Sequence, residues 1–444
     1  MSQDPLRNPT KRRRATRSWL PAVVSVVGLV GVAFLGGAAV QYFRIFPQHL
    51  LSAGFNASRA FVERYVAPPS RYEISLWTKA RYHRKGVTAH DPDKAMPGYT
   101  LYTSGHAQAA FLIDMAGNEV HRWSRSFREI WPKGGAVGTP IESGQIYYRR
   151  AKVFPNGDLL ALLIGEGDTP WGYGLVKLDR DSNVIWRFAD RVHHDFDVAG
   201  DGSIYVLSHT FRRGRFAATP NLPRTFLDDE IVHLSPGGEE TGRTSIFDAL
   251  VNSPYVGDLR DLNYWDPLHS NTVEFVEPDL APAFPGLTAG EVVVSLRNMD
   301  FLIAVDLARK TVTAALTGGW RRQHDADLLP SGEILLFDNL GNLGPQGRSR
   351  VIQFEPGDGR ITWSYTGTIE RPLYSLWRST QQRLANGNTL ITESGGGRLL
   401  EVTAAGDIVW EFINPVRGGP AGDLIPIVSG GTRLSPDEVP FLRD

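Results

Sequence analysis

The hydrophobic pattern divides the chain into one long apolar run near its start and many short alternating runs after it. Residues 19–40 form a single uncharged segment, WLPAVVSVVGLVGVAFLGGAAV. From Gly98 onward, apolar runs of strand length are separated by turns in which Gly accompanies Asn, Asp or Ser. Period-two alternation between such turns is typical of β-hairpins. The pattern therefore predicts one helix followed by a body made mainly of β-strands.

Two hairpin patterns alternate along the β-stranded part. In the first, an apolar strand, an acidic or Gly-containing turn and a strand that often ends in Trp follow one another, as in GLVKLDRDSNVIWRF at 174–188. In the second, an Xaa-Gly turn precedes a strongly apolar strand, as in DADLLPSGEILLFD at 325–338. Repeated four-stranded units of this kind are typical of a β-propeller.

The number of repeats sets the number of blades. Six copies of the first hairpin pattern fit between Gly98 and Pro415. We therefore predict an all-β fold, a six-bladed β-propeller preceded by a transmembrane helix and a short, partly helical stalk. A seventh blade hidden in residues 245–290 is one alternative. A pair of β-sandwiches would explain the strands but not their regular alternation.

The uncharged segment is long enough to cross a membrane. A helix rises about 1.5 Å per residue, and the hydrocarbon core is roughly 30 Å thick. The basic run KRRRATR (11–17) precedes the segment, and the positive-inside rule places that end in the cytoplasm. The predicted order is therefore a cytoplasmic tail (1–18), a single-pass anchor (19–41), an extracytoplasmic stalk (42–97) and the propeller (98–444) on the extracytoplasmic, periplasmic side.

The same N-terminal segment has two other interpretations. Small residues at Gly37 to Ala39 are compatible with the cleavage site of a signal peptide, although the apolar run is long for one. The arginine pairs in KRRRATR are also compatible with a twin-arginine export signal. Under both alternatives the propeller is still exported.

Composition excludes several classes of function. The formal net charge is -1, and no extended Lys/Arg tract occurs outside the N-terminus, so we expect no nucleic-acid partner. The chain has no cysteine, which excludes disulfides, thiolate metal sites, iron–sulfur clusters and a cysteine nucleophile. The oligomeric state is not determined by these features.

One position recurs at the same distance from the turn of the second hairpin pattern. Counting back eight residues from each turn glycine gives Arg149, His194, His324 and Ser379, and His269 in LHSNTVEF lies at the corresponding place. Equivalent positions in a propeller surround its central channel, so these side chains are expected to converge. A brace between blades is the alternative for any single His, but a brace should recur in every blade.

A ring of several His with an Arg suits anion chemistry. Such donors stabilise a group whose charge is spread over several oxygens, for example a sulfuryl or phosphoryl group. A neutral His can also act as the nucleophile that accepts and passes on the group. Imidazoles are common metal ligands, but His-x-His and His-Glu-x-x-His spacings are missing from the sequence, so we assign no metal site.

Two neighbouring features have more than one interpretation. The pair Asp338 and Asn339 follows an apolar strand, where an Asx turn is the usual arrangement and a metal site is the alternative. Trp265 lies close to the LHSN motif. It either packs in the core or stacks on an aromatic substrate.

Five stretches together resemble the arylsulfotransferase family, in the same order along the chain. QHDADL, LHSNTV and SLRNMD form the specific part of this resemblance, which extends over residues 98–415. The full stretches are VHHDFDVAGDGSIYVL (192–207), WDPLHSNTVEF (265–275), VVVSLRNMDFLIAVD (292–306), RRQHDADLLPSGEILLFDNLG (321–341) and LANGNTLITESGGGRLLEVTAAGDIVWEF (384–412).

The resemblance implies an enzyme that moves a sulfuryl group from a phenolic sulfate ester to a phenol through a sulfated histidine, without a nucleotide donor. The family's nucleophile matches His324. Its two other pocket histidines match His269 and His194, with His193 as the other candidate in HHD. Its sulfuryl-binding arginine matches Arg297. Partners would be the phenolic donor and acceptor and, through the helix, the membrane; no cofactor is implied.

The chain also departs from the family. Asn298 and Met299 follow Arg297, where characterised members tend to carry His and Gln, and the disulfide of those members has no counterpart here. Two other functions therefore stay open. One is a membrane-tethered, non-catalytic binding or scaffold propeller of the cell envelope, and the other is a metal- or quinone-dependent propeller enzyme.

Overall fold

The structure is a computed structural model that describes residues 20–43, 75–168, 170–344 and 348–443. The chain divides into two compact units, Met1–Pro69 and Ser70–Asp444. The predicted cytoplasmic tail (1–18) and residues 44–74 of the predicted stalk lie outside the described residues.

The first unit contains helix α1, Leu20–Phe43. Its sequence has no charged residue, and Pro21 occupies the first turn, where a missing backbone N–H is tolerated. The window Val23–Val40 is long and apolar enough to cross a membrane, and a signal sequence would meet the same criterion. The predicted N-terminal apolar helix is confirmed, with bounds slightly different from 19–41.

The second unit is built from short strands and few helices. Its helices are α2 (Phe127–Ile130) and α3 (Ile246–Val251), with 3-10 turns at Ser143–Gln145, Pro254–Leu259, Ala281–Ala283, Ser394–Gly396 and Pro440–Arg443. The strands are β1 (Trp77–Lys79), β2 (Gly86–His90), β3 (Tyr99–Ser104), β4 (Ala109–Ile113), β5 (Glu119–Ser124), β6 (Ile146–Val153), β7 (Leu159–Gly165), β8 (Gly172–Leu178), β9 (Val184–Phe188), β10 (Val192–Val198), β11 (Ile204–Arg213), β12 (Thr225–Leu234), β13 (Glu240–Ser245), β14 (Ser270–Phe275), β15 (Val292–Leu296), β16 (Phe301–Asp306), β17 (Thr311–Thr317), β18 (His324–Leu328), β19 (Ile334–Asp338), β20 (Arg350–Phe354), β21 (Ile361–Tyr365), β22 (Thr380–Arg383), β23 (Thr389–Glu393), β24 (Arg398–Val402), β25 (Ile408–Ile413), β26 (Leu424–Pro426) and β27 (Val428–Leu434).

These strands form six antiparallel blades around a central channel. The blades are β6–β9, β10–β13, β14–β17, β18–β21, β22–β25 with β2 added at the outer edge, and β27 with β3–β5. The inner strands β6, β10, β14, β18, β22 and β27 contact one another in a closed ring. The predicted six-bladed propeller is confirmed. The stretch 245–290, where a seventh blade was the alternative, holds α3, two 3-10 turns and β14.

The two ends of the propeller sequence are joined in shared blades. Strand β27, from the C-terminal end, pairs with β3 and becomes the inner strand of the β3–β5 blade. Strand β2 pairs with β25, and β1 pairs with β26. Residues 75–97 therefore belong to the propeller, not to the stalk to which the sequence assigned them. The hydrogen-bond partners of these short strands lie at the opposite end of the chain.

The tryptophans at the ends of the outer strands link neighbouring blades. The indole N–H of Trp123 donates to the Gly157 carbonyl in the β6–β7 turn at 2.9 Å. The Trp410 indole donates in the same way to Met115 in the β4–β5 turn at 2.9 Å, and Trp363 donates to Ala404. In three copies of the first hairpin pattern the recurring Trp is thus an inter-blade brace, whereas the Trp186 indole N–H has no hydrogen-bond partner in the part of the chain that the structure describes.

Trp410 offers a test of this brace because its side chain is fully buried. Trp410→Phe is expected to lower the free energy of unfolding by about 1–3 kcal/mol, because the partly buried Met115 carbonyl loses its donor. Trp410→Ala should lower it by about 3–5 kcal/mol through the added cavity. Chemical unfolding followed by circular dichroism measures both. The partly exposed Trp363 is the control, and an equal loss from Trp363→Phe would contradict this ranking.

Candidate active site

The inner strands carry bulges where they line the channel. The pairing register shifts within β6, β10, β14, β18 and β27. Next to these bulges the backbone is left-handed at His194 (φ 57°), Asp325 (φ 54°) and, at the entry to β14, His269 (φ 52°). This conformation is uncommon for residues with a side chain, so the surrounding structure has to hold it in place. The bulges turn these side chains relative to the regular pleat.

Four of the five residues of the predicted ring converge on one cavity, and the fifth, His269, does not line it. The cavity has an empty volume of about 200 Å³, including the part open to solvent. Arg149, His194, His324 and Ser379 all line it. The other lining residues are Arg150, Asp195, Asn271, Asp325 and Thr380. The equal spacing from the turn glycines therefore predicted a real neighbourhood in space.

The two histidine side chains of the HHD motif point in different directions. His194 lines the cavity, and its ring centroid lies 5.0 Å from that of His269. The His193 ring stacks on His209 at 4.3 Å, away from the cavity lining. His194 is therefore the channel-facing member of the pair, while His193 supports it from behind.

Hydrogen bonds fix the tautomer of His324. Asn339 donates from Nδ2 to the carbonyls of Ser375 (2.8 Å) and Arg378 (2.9 Å), so its Oδ1 faces His324 Nδ1 at 2.7 Å. The Arg322 carbonyl is a second acceptor near Nδ1, at 3.2 Å. Nδ1 therefore carries the proton, and Nε2 keeps its lone pair.

The surroundings keep His324 neutral. Burial and the nearby charges of Arg297 and Arg149 hold the pKa of His324 well below its usual value. The bond to Asn339 acts in the opposite direction but is outweighed. The pKa of His194 is also held well below its usual value, mainly by burial and by His269. At neutral pH both rings are therefore uncharged.

Two arginines supply positive charge to this region. Arg149 is buried and donates from Nη1 to the Ser429 carbonyl (2.9 Å) and hydroxyl (3.1 Å). Burial and the Arg322 charge lower the pKa of Arg297 to about 10, so it stays protonated at neutral pH. Neither guanidinium forms a salt bridge with a carboxylate within the described part of the chain. Arg149 lines the cavity, whereas Arg297 does not line it but acts through its charge on His324.

A third arginine is already neutralised. Arg378 pairs with the Glu166 carboxylate at 2.6 Å and donates to the Ser75 hydroxyl at 3.1 Å. Burial lowers the pKa of Arg378, but Tyr147 and the Glu166 carboxylate together raise it above its ordinary value. Its backbone N–H lies 3.3 Å from His324 Nε2. The main chain of Arg378 contacts the histidine, and its side chain ties the channel wall to Ser75.

His269 is oriented by a buried carboxylate. Asp266 accepts a hydrogen bond from His269 Nδ1–H, which leaves Nε2 of His269 as the atom free to exchange a proton. Asn298 donates to the Asp266 carbonyl at 2.7 Å and accepts from Arg297 at 3.1 Å. The residue at which the chain departs from the family thus links the Asp266–His269 pair to Arg297.

Aromatic rings form one side of the histidine cluster. The Trp171 centroid lies 5.5 Å from His269 and 5.9 Å from His194. Trp265 lies 6.3 Å from Trp171, and the exposed Tyr264 ring lies 5.5 Å from Trp265. These rings provide an apolar surface that leads from solvent to the histidines.

The comparison with protein families agrees with this geometry. The family model described as Arylsulfotransferase (ASST) matches residues 150–415, more than half of the chain. The chain belongs to the arylsulfotransferase family. The matched range includes His194, His269, Arg297 and His324, whereas Arg149 lies just outside it. The family supports an arylsulfotransferase-like function in general.

Solved structures share less with this arylsulfotransferase-family chain. A Bacteroides caccae protein of unknown function is 13% identical, with a TM-score of 0.47, covering 76% of this chain and 98% of that one. A streptogramin B lyase is 11% identical, with a TM-score of 0.40, covering 80% and 95%. A virginiamycin B lyase from Staphylococcus aureus is 9% identical, with a TM-score of 0.39, covering 76% and 87%. The search of curated proteins finds no match.

Three residues of this site were not assigned to it by the sequence. Asp338 accepts the backbone N–H groups of Arg321 and Gly341 at its turn. Its neighbour Asn339 instead accepts a hydrogen bond from His324. Trp171 lies in a loop between β7 and β8, outside every motif identified in the sequence. Asp266 precedes His269 by three residues, and this Asp-x-x-His spacing was the available signal.

Proposed function

We propose that this chain is an extracytoplasmic aryl sulfotransferase that moves a sulfuryl group from a phenolic sulfate ester to a phenol through a sulfated His324. The observation that carries the proposal is the state of His324. Its Nδ1 is fixed by Asn339, and its neutral Nε2 belongs to a ring that lines a cavity shared with Arg149 and His194. A neutral, positioned imidazole beside unpaired cations suits attack on an anionic sulfate ester.

In the first half-reaction, the lone pair of His324 Nε2 attacks the sulfur atom of the donor. An N–S bond forms as the S–O bond to the aryl group breaks, and the electron pair leaves on the phenolate oxygen. His269 Nε2, oriented by Asp266, is the group that we assign to protonate this oxygen. Arg149 and Arg297 stabilise the sulfuryl oxygens while charge shifts onto the leaving group.

The second half-reaction reverses these movements with the acceptor phenol. His269 takes the phenol proton, the phenol oxygen attacks sulfur, and the N–S bond breaks with its electron pair returning to Nε2 of His324. The enzyme returns to its starting state because each proton and each electron pair is restored. This ping-pong scheme uses no nucleotide.

The aromatic side of the site suggests how the phenol rings are held. Trp171, Trp265 and Tyr264 lie along a path from solvent to His194 and His269. An aryl ring stacked there would present its oxygen to the histidines. In the proposed topology, α1 anchors the chain and the propeller faces the extracytoplasmic side, as the basic run before the helix indicates.

Trapping the intermediate tests this function. The detergent-solubilised chain is incubated with p-nitrophenyl sulfate without an acceptor, digested at neutral pH and analysed by mass spectrometry. We expect the peptide containing His324 to gain one SO₃ group, and a phenol added before digestion should remove it. An adduct on another residue, or no adduct with a broad panel of aryl sulfates, would contradict the proposal.

A further inference from the structure

A second cluster of side chains that can bind a metal lies next to the cavity lined by His194 and His324. It consists of His193, His209 and Asp229, all buried, and we call it the rear cluster. His193 Nε2 lies 3.6 Å from Asp229 Oδ1. One ligand atom from each of the three residues lies within 4.8 Å of the other two. None of these three residues takes part in the sulfuryl transfer described above.

The rear cluster has unused hydrogen-bonding capacity. His193 Nε2 and both ring nitrogens of His209 have no hydrogen-bond partner of good geometry, although the Ser208 backbone lies near the His193 ring. Buried polar atoms are normally paired, because leaving one unpaired costs about 1–3 kcal/mol. Three such atoms on two touching rings therefore indicate a missing partner.

Charge points to the same kind of partner. Among the described residues, no Lys or Arg forms a salt bridge with Asp229, whose only ionic contact is with His193. Its Oδ2 accepts the Ser270 backbone N–H at 2.7 Å, which aims Oδ1 at the His193 ring. A buried carboxylate is normally paired or coordinates a metal. A cation between the carboxylate and the two imidazoles would satisfy all of these atoms together.

We propose that the rear cluster binds one divalent transition-metal ion, zinc by preference, through His193 Nε2, one ring nitrogen of His209 and Asp229 Oδ1. Two imidazoles and a carboxylate are a common zinc ligand set with positions left for further ligands. Ligand bonds of about 2.0–2.2 Å require the three atoms to move slightly closer together than they are here.

Metal binding at this site would set the tautomer of the cavity histidine. His193 Nδ1 lies 2.8 Å from His194 Nδ1. With its Nε2 bound to the metal, His193 must carry its proton on Nδ1 and donate it to His194 Nδ1. His194 then carries its own proton on Nε2 and acts as a hydrogen-bond donor. This is the outer-sphere arrangement typical of metal-bound histidines.

Metal stoichiometry tests the proposal independently of sulfuryl transfer. The detergent-solubilised full chain is stripped with a chelating resin, incubated with Zn²⁺, desalted and analysed for bound metal. We expect one zinc per chain in the wild type and at least a tenfold weaker affinity in Asp229→Asn, which keeps the acceptor for Ser270 but removes the charge. His209→Gln should lose binding as well, and His233→Gln, on the same strand as Asp229, is the matched control.

A spectroscopic measurement keeps the test valid if a variant folds poorly. Co²⁺ bound to the wild-type chain should give visible absorption bands of a low-symmetry site, and X-ray absorption should show scattering from two imidazoles. Wild-type chain that binds no zinc or cobalt would overturn the proposal, as would equal stoichiometry and affinity in folded Asp229→Asn. Failure of sulfuryl transfer alone would not affect this result, because the readout is the bound metal.

Discussion

Replacing His324 with Asn is expected to abolish sulfuryl transfer while leaving the propeller folded. The rate of p-nitrophenol release should fall by about a thousandfold or more, as is typical when a covalent nucleophile is removed. The Asn side chain can still donate to Asn339 Oδ1, so the bond that positions the residue is kept. The SO₃ adduct should disappear from the corresponding peptide in the same preparation.

The control for this experiment is His233→Gln. His233 lies on β12, where its ring stacks on Tyr205 at 4.6 Å, and it does not line the cavity. Its variant should retain transfer within about twofold, as is usual for substitutions remote from an active site. If His324→Asn retained both turnover and adduct, the nucleophile would lie elsewhere. If the wild type showed no transfer, and the His324→Asn variant still bound the same partners as the wild type, the non-catalytic scaffold function would be favoured.

Removing the charge of Arg297 should reduce transfer strongly. The Arg297→Met variant keeps much of the side-chain volume but cannot stabilise the sulfuryl oxygens, so kcat/KM should fall by about 10²–10³-fold. Steady-state kinetics with an aryl sulfate measure this loss. Arg297→Lys keeps the charge without the planar fork and should recover part of it.

The pH profile separates this role from a purely structural one. Free enzyme needs neutral His324, so kcat/KM falls as the pH drops through the pKa of that residue. Burial and Arg297 hold this pKa well below its usual value of about 6.5, so the acidic limb of the wild type should lie below pH 6.5. Arg297→Met removes a positive neighbour, raises the His324 pKa and should shift the limb to higher pH.

The outer-strand residue Arg243 provides the control. It forms salt bridges with Asp190 and Glu230 away from the cavity, so Arg243→Met can affect stability but should not move the limb. An unchanged limb in Arg297→Met, together with unchanged kcat/KM, would show that Arg297 does not act on the sulfuryl group or on His324.

The sequence predicted most of the propeller because each blade repeats the same local pattern. Hairpin turns with Gly depend on residues that neighbour one another in the sequence, so they are visible in one dimension. The spacing to the turn glycine also predicted the ring that includes His324 and His194. Residues 75–97 were misassigned because their short strands have partners, such as β25, that lie hundreds of residues away.

The residues that position His324 could not be predicted from a repeating pattern. Asn339 binds His324 from the end of the neighbouring strand β19, and Trp171 reaches the histidines from a loop of another blade. Such contacts leave no periodic signal, because each occurs once and does not recur from blade to blade. The same is true of the rear cluster, whose His209 and Asp229 lie opposite each other on β11 and β12.

By itself, the sequence determined the apolar helix, which follows from one uninterrupted uncharged run, and the six repeating blades with the convergence of Arg149, His194 and His324, which follow from local periodicity. Only the tertiary structure decided which histidine of HHD faces the cavity and which nitrogen of His324 holds the lone pair. Those properties depend on bulges, burial and hydrogen bonds between blades. They exist only when the ring is closed.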